Sequence, residues 1–402
     1  MVLLPGCSGG GGGGSAPASS PDSSSSTPST NTGNPAPNVL AISVEPGPAN
    51  IVNLVFAAVT VCPPGNGSDC QTIDHVLIDT GSTGLRVMSS VLSPVLSLPQ
   101  QTDANGNPIV ACAQFADGFS WGPVKVADVR IAGEQAAQLP IQVIGDPAFS
   151  SIPKNCSSTG PSKNTVQTFG ANGVLGVGAF RQDCGSACVQ SSNAGVYYAC
   201  PSSGCQPVVR SLAEQLQNPV SMFAGDNNGV IIELPAVPPA GAARVDGSLI
   251  FGIGTQANNG LGTAAVFSLN PSTGTFTTLY KNRTFGSSFI DSGSNALFFQ
   301  DAGIPVCSSV TTLGFYCPAS TQSLSATIQG TNGTNTSVNF TVANANSLLA
   351  NNPGFTAFSN LAAPSSLVRG FDWGLPFFFG RNVFVAIEGA ITPGGPGPYV
   401  AF

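Results

Sequence analysis

The sequence HVLIDTGSTGLRV, residues 75–87, places an acid directly behind a run of apolar residues. Residues 76–78 have the pattern of a buried strand, and the small residues that follow Asp79 are typical of a turn. Taken alone, such an Asp would cap its own turn. A chemical role requires a partner elsewhere in the chain.

A second segment, SFIDSGSNALFF at residues 288–299, repeats this arrangement around Asp291. Both segments contain an apolar residue, Ile and Asp, then Thr or Ser, Gly and Ser, and nothing else in the sequence repeats as closely. Each acid is followed further along by two apolar residues and a Gly, at residues 174–176 and residues 378–380. The second of these lies in FDWGLPFFFG, which we expect to be core and a closing strand, with Asp372 capping a turn. The repeated order predicts two β lobes that contribute one acid each.

The composition favours a large, strand-rich protein without a basic surface. The chain has 402 residues, of which 42% are apolar and 8% charged, and it contains 49 Gly and 33 Pro. This length is enough for a large core and two domains, and the many turn residues are typical of short strands. With 12 Lys and Arg and a net charge of −7, the chain offers no basic surface for phosphate groups, which argues against a nucleic-acid partner.

The N-terminal segment differs from the rest in composition. Residues 1–38 are dominated by Gly, Ser and Pro, so we expect a disordered tether. The start LLPGC resembles the processing box of bacterial lipoproteins, and we interpret it as part of a truncated signal peptide. This predicts a lipid anchor on Cys7 and an exported protein of the periplasm or cell surface, joined to a membrane only through that anchor. The alternative is an unpaired thiol in a disordered tail. No later apolar run is long enough to span a bilayer.

The cysteine count also indicates export. Ten of the eleven Cys follow Cys7, an even number that predicts five disulfides formed in an oxidising compartment. Cys62 with Cys70, and Cys307 with Cys317, are spaced as short links. The sequence leaves open the pairing of four others, at positions 184, 188, 200 and 205. The alternative for these four is a zinc site, which their loose spacing and the lack of a nearby His disfavour, so we expect no metal.

The single histidine, His75, argues against several enzyme classes. A Ser-His-Asp or Cys-His hydrolase would have to use it, but it alternates with apolar residues on a predicted strand. Metal hydrolases that need clustered His are disfavoured for the same reason. The glycine-containing stretch at residues 251–260 is too weak a signal for a dinucleotide site, and we expect no cofactor. Carboxylates remain as the groups for chemistry.

The paired acid loops resemble those of the pepsin-like aspartic peptidases. Residues 171–178 resemble the segment beneath the first catalytic loop, and residues 377–402 resemble the closing strands, so the resemblance covers most of the chain after the tether. A bacterial family of exported lipoproteins with pepsin-like lobes is similar in joining these motifs to a Gly-rich start. The resemblance implies an all-β, bilobed fold with a central cleft, made of an N-terminal lobe over residues 39–255 and a C-terminal lobe over residues 256–402.

The resemblance implies that Asp79 and Asp291 form a catalytic pair at the floor of the cleft. Two carboxyl groups within hydrogen-bond reach cannot both ionise cheaply, so they share one proton. The ionised member accepts a proton from water, and the protonated member polarises the peptide carbonyl. By the same resemblance, the residue after each Asp links the loops, the Gly residues permit close approach, and the Ser hydroxyls donate to the outer carboxyl oxygens. These supporting residues are Thr80, Gly81, Ser82, Ser292, Gly293 and Ser294.

The hairpin that would cover this pair departs from the family pattern. The best match is AQFADGFSWG, in which Phe115 occupies the position of the family's lid Tyr and lacks its hydroxyl. Trp121 either takes over that role or packs beneath the hairpin. Arg86 stands where the family has a Trp, and it either pairs with Asp117 or reaches solvent. The predicted lid and substrate-binding residues are Phe115, Ala116, Asp117, Gly118 and Trp121.

These patterns predict an exported aspartic endopeptidase that hydrolyses internal peptide bonds through a water activated by Asp79 and Asp291. An extended polypeptide substrate would bind in the cleft like an additional strand. We expect the protein to act as a monomer. The alternative is a catalytically silent surface lipoprotein that binds peptide or glycan in the same cleft, an interpretation that Phe115 and Arg86 favour.

Overall fold

The structure is a computed structural model that describes residues 36–367 and 369–402. The predicted lipid anchor at Cys7 and most of the predicted tether lie outside the described residues. The last residue of the predicted tether, Asn38, is buried, and its side-chain amide donates to the backbone carbonyl of Phe251. Asn38 is therefore held by the fold.

Most regular structure in the described residues is β-strand. The strands are β1 (Val39–Val44), β2 (Val55–Cys62), β3 (Gln71–Asp79), β4 (Thr83–Met88), β5 (Ile109–Phe115), β6 (Gly118–Ile131), β7 (Glu134–Ile144), β8 (Gly173–Val177), β9 (Tyr197–Ala199), β10 (Gln206–Pro207), β11 (Gly229–Leu234), β12 (Val245–Phe251), β13 (Val266–Ser268), β14 (Phe276–Tyr280), β15 (Arg283–Ile290), β16 (Leu297–Phe298), β17 (Gln322–Gln329), β18 (Asn335–Val342), β19 (Ala362–Ala363), β20 (Asp372–Trp373), β21 (Arg381–Ala386), β22 (Ile391–Thr392), β23 (Gly395–Pro396) and β24 (Tyr399–Ala401). The α-helices are α1 (Val166–Phe169), α2 (Ser186–Gln190) and α3 (Ala345–Asn351). Short 3-10 helices occupy Ser89–Val91, Pro147–Phe149, Ser157–Thr159, Ser192–Ala194, Leu212–Glu214, Pro219–Met222 and Leu375–Phe377. No helix within the described part of the chain is long and apolar enough to cross a bilayer.

The strands assemble into a large sheet, a smaller sheet and a two-stranded pair of β22 and β23. The large sheet has the order β10-β9-β5-β6-β7-β4-β8-β3-β2-β1-β12-β11-β21-β24-β13, and the smaller sheet has the order β18-β17-β14-β15-β20-β16-β19. Within the large sheet, β21 and β24 from the end of the chain extend the sheet that begins in the first lobe. The all-β, bilobed fold is confirmed. The proposed lobe boundary between residues 255 and 256 follows β12 of this shared sheet and stays a prediction.

In each lobe, the acid-bearing strand has the same two neighbours. In the first lobe, β3 runs parallel to β8, which pairs antiparallel with β4, and Asp79 aligns with Gly176. In the second lobe, β15 runs parallel to β20, which pairs antiparallel with β16. A Cβ on Gly176 would lie 2.6 Å from the backbone nitrogen of Thr83, and one on Gly374 would lie 2.1 Å from the carbonyl oxygen of Ala296. Only glycine lets these segments pass so close to the acid loops.

The prediction that residues 378–380 are the second Gly landmark is wrong. Its counterpart in the structure is residues 371–374, because β20 occupies the place beside β15 that β8 occupies beside β3. Asp372 therefore takes the register position that Val174 has in the first lobe, and it lies in a strand instead of capping a turn. The stretch FDWGLPFFFG contains two candidate glycines, Gly374 and Gly380. Asp372, two residues before Gly374, interrupts the apolar pattern that would have identified Gly374 as the landmark.

Five disulfides join the ten described Cys residues, in agreement with the predicted even set. They are Cys62–Cys70, Cys112–Cys156, Cys184–Cys188, Cys200–Cys205 and Cys307–Cys317. Both predicted short links are present. The four Cys whose pairing the sequence left open form two local links, so their sulfurs are bonded to each other and are not free thiolates for zinc.

Candidate active site

The two acid loops meet at the floor of a cleft between the lobes. Asp79 ends β3, and Asp291 directly follows β15. A Cβ on Gly81 would lie 2.7 Å from Cγ of Asp291 in the other lobe. A Cβ on Gly293 would lie 2.7 Å from Oδ1 of Asp79 and 3.1 Å from Oδ1 of Asp291. Each glycine thus lies against the acid of the opposite loop, and the Oδ1 atoms of both acids lie close to Gly293.

The carboxyl group of Asp79 is also held by its own loop. The backbone N–H of Gly81 donates to Oδ1 at 2.8 Å, and the hydroxyl of Ser82 donates to Oδ2 at 2.5 Å. These donors reduce the cost of burying a carboxylate that is only 7% exposed.

The carboxyl group of Asp291 has a matching set of contacts. The backbone N–H of Gly293 donates to Oδ1 at 2.7 Å, and the hydroxyl of Ser294 lies 2.9 Å from Oδ2. In both lobes, a backbone N–H contacts one carboxyl oxygen and a Ser hydroxyl contacts the other. The sequence repeat thus produces a repeat of local geometry.

Thr80 and Ser292 join the two loops across the lobe interface. The hydroxyl of Thr80 donates to the carbonyl of Ile290 at 3.1 Å, and the N–H of Ser292 donates to that hydroxyl at 3.0 Å. In return, the hydroxyl of Ser292 donates to the carbonyl of Ile78 at 2.8 Å and accepts from the N–H of Thr80 at 3.1 Å. Four reciprocal hydrogen bonds fix the loops relative to each other.

The electrostatics of the pair favour retention of a proton. Burial, followed by the charge of Asp291 and the hydrogen bond to it, raises the pKa of Asp79 from an ordinary value of 3.8 to about 8. The donors Ser82 and Gly81 act in the opposite direction but are outweighed. At acid pH the pair therefore holds a proton that an exposed Asp would have lost.

The cleft above the acids has a volume of about 580 Å³ and is lined by both lobes. Its large apolar lining residues are Leu77, Phe115, Phe169, Phe180, Phe289, Phe298 and Leu367. Such a lining suits apolar side chains on either side of the acid pair.

The hairpin that the sequence predicts to be a lid is formed by β5 and β6, with Phe115 aligned to Gly118 across the turn. Phe115 and Ala116 line the cleft, and the Phe115 ring packs edge-on against Phe169 at 5.8 Å between centroids. Asp117 instead forms an ion pair with Lys163 at 2.9 Å. Gly118 has φ of 153°, and a Cβ there would lie 2.3 Å from the carbonyl oxygen of Pro161.

Trp121 packs behind the hairpin and does not line the cleft. It is 1% exposed, and its indole N–H donates to the carbonyl of Phe149 at 2.8 Å. Its ring packs edge-on against Tyr198. Of the two roles considered for Trp121, the structure places it in the packing role beneath the hairpin.

Arg86 neither pairs with Asp117 nor reaches solvent. It is 4% exposed, donates to the carbonyl of Thr83 at 2.7 Å and forms an ion pair with Asp183 at 3.1 Å. Tyr197 donates to the same carboxylate at 2.6 Å. Burial raises the pKa of Asp183, while Arg86 and Tyr197 oppose the rise. The sequence does not reveal this partner, because Asp183 lies on a loop that the fold, not the local pattern, brings to β4.

Asp372 is a further acid at this site, although the sequence pattern predicted that it caps a turn. It lines the cleft, and its Oδ2 lies 2.6 Å from the hydroxyl of Ser294, which also contacts Asp291. Burial first, and the charge of Asp291 second, raise the pKa of Asp372 well above its ordinary value. No group of three or more His, Cys, Asp or Glu in the described residues is arranged to hold a metal ion.

Comparisons with known proteins agree with this fold. The crystal structure of an aspartic proteinase from Irpex lacteus is similar to the chain, with a TM-score of 0.50 and 15% sequence identity, over 90% of this chain and 96% of that chain. At this identity the similarity shows the pepsin-like fold alone. A search of curated proteins finds no match. The sequence family described as "Protein of unknown function (DUF3443)" matches residues 34–402, and the chain therefore belongs to that family.

Proposed function

We propose that the protein is an exported aspartic endopeptidase. The observation that carries the proposal is the juxtaposition of Asp79 and Asp291, two carboxyl groups with matching donors at the floor of an apolar cleft. A shared proton is what acid-catalysed attack of water on an amide requires. The five disulfides fit formation in an oxidising compartment, and anchoring through a lipid on Cys7 is part of the proposal.

The mechanism uses the two carboxyl groups in different protonation states. Asp79, with a pKa of about 8, holds the shared proton at acid pH and donates it to the carbonyl oxygen of the scissile bond. Asp291 accepts a proton from the water that attacks the carbonyl carbon. The resulting tetrahedral diol collapses as Asp291 passes the proton that it took from water to the amide nitrogen, a diol hydroxyl returns a proton to Asp79, and the C–N bond breaks. No covalent bond to the enzyme forms.

The proposed substrate is an extended polypeptide bound by a single protein molecule. The open cleft runs under the β5–β6 hairpin, and an extended chain there forms backbone hydrogen bonds as an added strand does. The Phe side chains that line the cleft favour apolar residues on either side of the cleaved bond.

The proposal is tested with a mixed peptide library between pH 3 and pH 7. Wild-type protein is expected to cleave internal bonds, a statine-type inhibitor is expected to block cleavage, and Asp79→Asn or Asp291→Asn is expected to lower kcat by at least about a thousandfold. The exposed Asp69→Asn is the matched control and should retain wild-type activity. Cleavage that survives either substitution at the pair contradicts the proposal.

A catalytically silent binding protein is the second candidate. The observation that favours it is Phe115, a lid side chain without a hydroxyl that contacts Phe169 instead of a polar partner. This candidate predicts saturable binding of peptide or glycan by calorimetry, with no product in the same sample. Turnover that depends on the acid pair refutes it.

A further inference from the structure

The hydroxyl of Ser294 lies between two carboxyl groups. It is 2.9 Å from Oδ2 of Asp291 and 2.6 Å from Oδ2 of Asp372. One hydroxyl carries one proton and therefore donates one such hydrogen bond. Two short oxygen–oxygen contacts require a second proton, which one of the two carboxyl groups must supply.

The surroundings of Asp372 identify it as the group that carries this proton. It is 7% exposed, and its other oxygen, Oδ1, is buried without a hydrogen-bond partner in the described structure. Among the described residues, the charges that act on it are those of acids: Asp291 from the loop after β15 and Asp79 from the other lobe. The paired residues of β16 are apolar, and none of the ion pairs among the described residues includes Asp372. An ionised carboxylate in this place would be uncompensated, whereas a protonated acid would be a hydrogen-bond donor.

The two lobes differ at this point. In the first lobe, Val174 occupies the register position of Asp372, and the hydroxyl of Ser82 donates to Asp79 at 2.5 Å. Both Ser residues follow their acids at the same spacing. The second lobe therefore adds an acid to an arrangement that the first lobe completes without one.

We propose that Asp372 is a positioning residue of the second acid loop: as a protonated acid it donates to Ser294 and thereby commits the Ser294 proton to Asp291. The proposal rests on the proposed peptidase function. The hydrogen bonds run in one direction, from Asp372 to Ser294 and from Ser294 to Asp291. This fixed donor stabilises Asp291 as the ionised member of the pair, the form that accepts a proton from water.

Two substitutions of Asp372 distinguish whether it acts as a neutral hydrogen-bond donor or as a charged carboxylate. Asp372→Asn keeps an N–H donor toward Ser294 without a titratable group, and Asp372→Val introduces the residue of the first lobe. We expect kcat to fall about threefold in the Asn variant and about tenfold or more in the Val variant, with KM nearly constant. The acid limb of the kcat–pH profile should move to higher pH in the Val variant alone.

Three kinetic results would overturn the proposal. An Asn variant as slow as the Val variant would show that the negative charge is needed. An Asn variant whose alkaline limb moves to lower pH would show that Asp372 is ionised during turnover in the wild type. A selective loss of peptides that contain Lys or Arg would assign Asp372 to binding of a substrate side chain.

An infrared measurement tests the protonation without relying on activity. The difference spectrum between wild type and Asp372→Asn at pH 6 should contain the carbonyl stretch of a protonated carboxylic acid, and its absence overturns the proposal. A wild-type protein that shows this band but cleaves no peptide refutes the peptidase function, and the positioning role with it, while the protonation stands. This measurement also keeps the test decisive if the Val variant does not fold.

Discussion

Gly293 is a single residue on which the contact between the two acids depends. A Cβ at this position would lie 2.7 Å from Oδ1 of Asp79, closer than a carbon–oxygen contact allows. Its φ is not in the left-handed region, so the backbone itself accepts alanine. The requirement for glycine here comes from the opposing carboxyl group.

Gly293→Ala is expected to lower kcat/KM by at least about a hundredfold, because the methyl group displaces the Asp79 carboxyl from its partner. The matched control is Gly286→Ala on β15, where a Cβ would meet nothing within 4 Å. Both variants are compared by steady-state kinetics, after circular dichroism shows that they are folded. Equal activities of the two variants would contradict the inferred contact.

Single residues also show which parts of the site could be predicted from the sequence and which could not. The repeated motif predicted which two Asp residues belong together, because the residues around each acid are nearly identical. Asp372 was missed because a carboxylate inside an apolar strand resembles a turn residue until the strand is placed beside β15. Alignment of FDWG with GVLG, by the position of the glycine, is the signal that would have found it.

At the scale of elements, the two acid loops act as one unit. The hydroxyl of Thr80 accepts from the N–H of Ser292 and donates to the carbonyl of Ile290, so it satisfies two backbone groups of the other lobe. Thr80 and Ser292 are both buried. Because water cannot take the place of a lost hydroxyl there, the hydrogen bonds between the two loops contribute directly to the stability of the fold.

Thr80→Val keeps the shape of the side chain but leaves those two backbone groups without partners. We expect the free energy of unfolding to fall by about 2–4 kcal/mol in urea titrations. The control is Thr72→Val on β3, the strand that precedes the loop of Thr80; Thr72 is exposed, and the variant should change stability by less than about 0.5 kcal/mol. A similar loss in both variants would indicate a general effect of replacing Thr by Val and not of the interlobe link.

The surroundings of the lid hairpin and of Arg86 could be predicted only in part, because they depend on contacts between elements that are distant in the chain. The hairpin position follows from the sequence pattern, but the pattern does not show that Trp121 turns away from the cleft toward Phe149. The partner of Arg86 is Asp183, which follows β8, and the sequence alone offered Asp117 as the nearer candidate. In both cases the deciding contact is long-range.

At the scale of the whole molecule, closure of the lobes creates the electrostatics of the acid pair. Burial and the charge of Asp291 raise the pKa of Asp79 from 3.8 to about 8, and neither influence exists in the unfolded chain. Between these two values the folded protein keeps a proton that the unfolded chain has lost. Linkage then requires stability to fall as pH rises through this window and to level off above about pH 8.

Asp79→Asn removes this titration. The variant is expected to gain stability relative to wild type as pH rises from 4 to 8, with a difference in slope of at most about 1.4 kcal/mol per pH unit. Thermal and urea unfolding at several pH values measure the two curves. The exposed Asp69→Asn should run parallel to wild type, whereas a parallel curve for Asp79→Asn would show that its carboxyl titrates normally.

The sequence by itself determined the strand-rich class, the two-lobed repeat and the pair of acid loops, because these are recorded in local residue order and in a motif that occurs twice. It also determined the even cysteine set and two of its links. Only the tertiary structure decided the pairing of the remaining Cys, the partner of Arg86 and the place of Asp372 beside Ser294. Those contacts depend on strand register and lobe closure, which join residues that are distant in the chain.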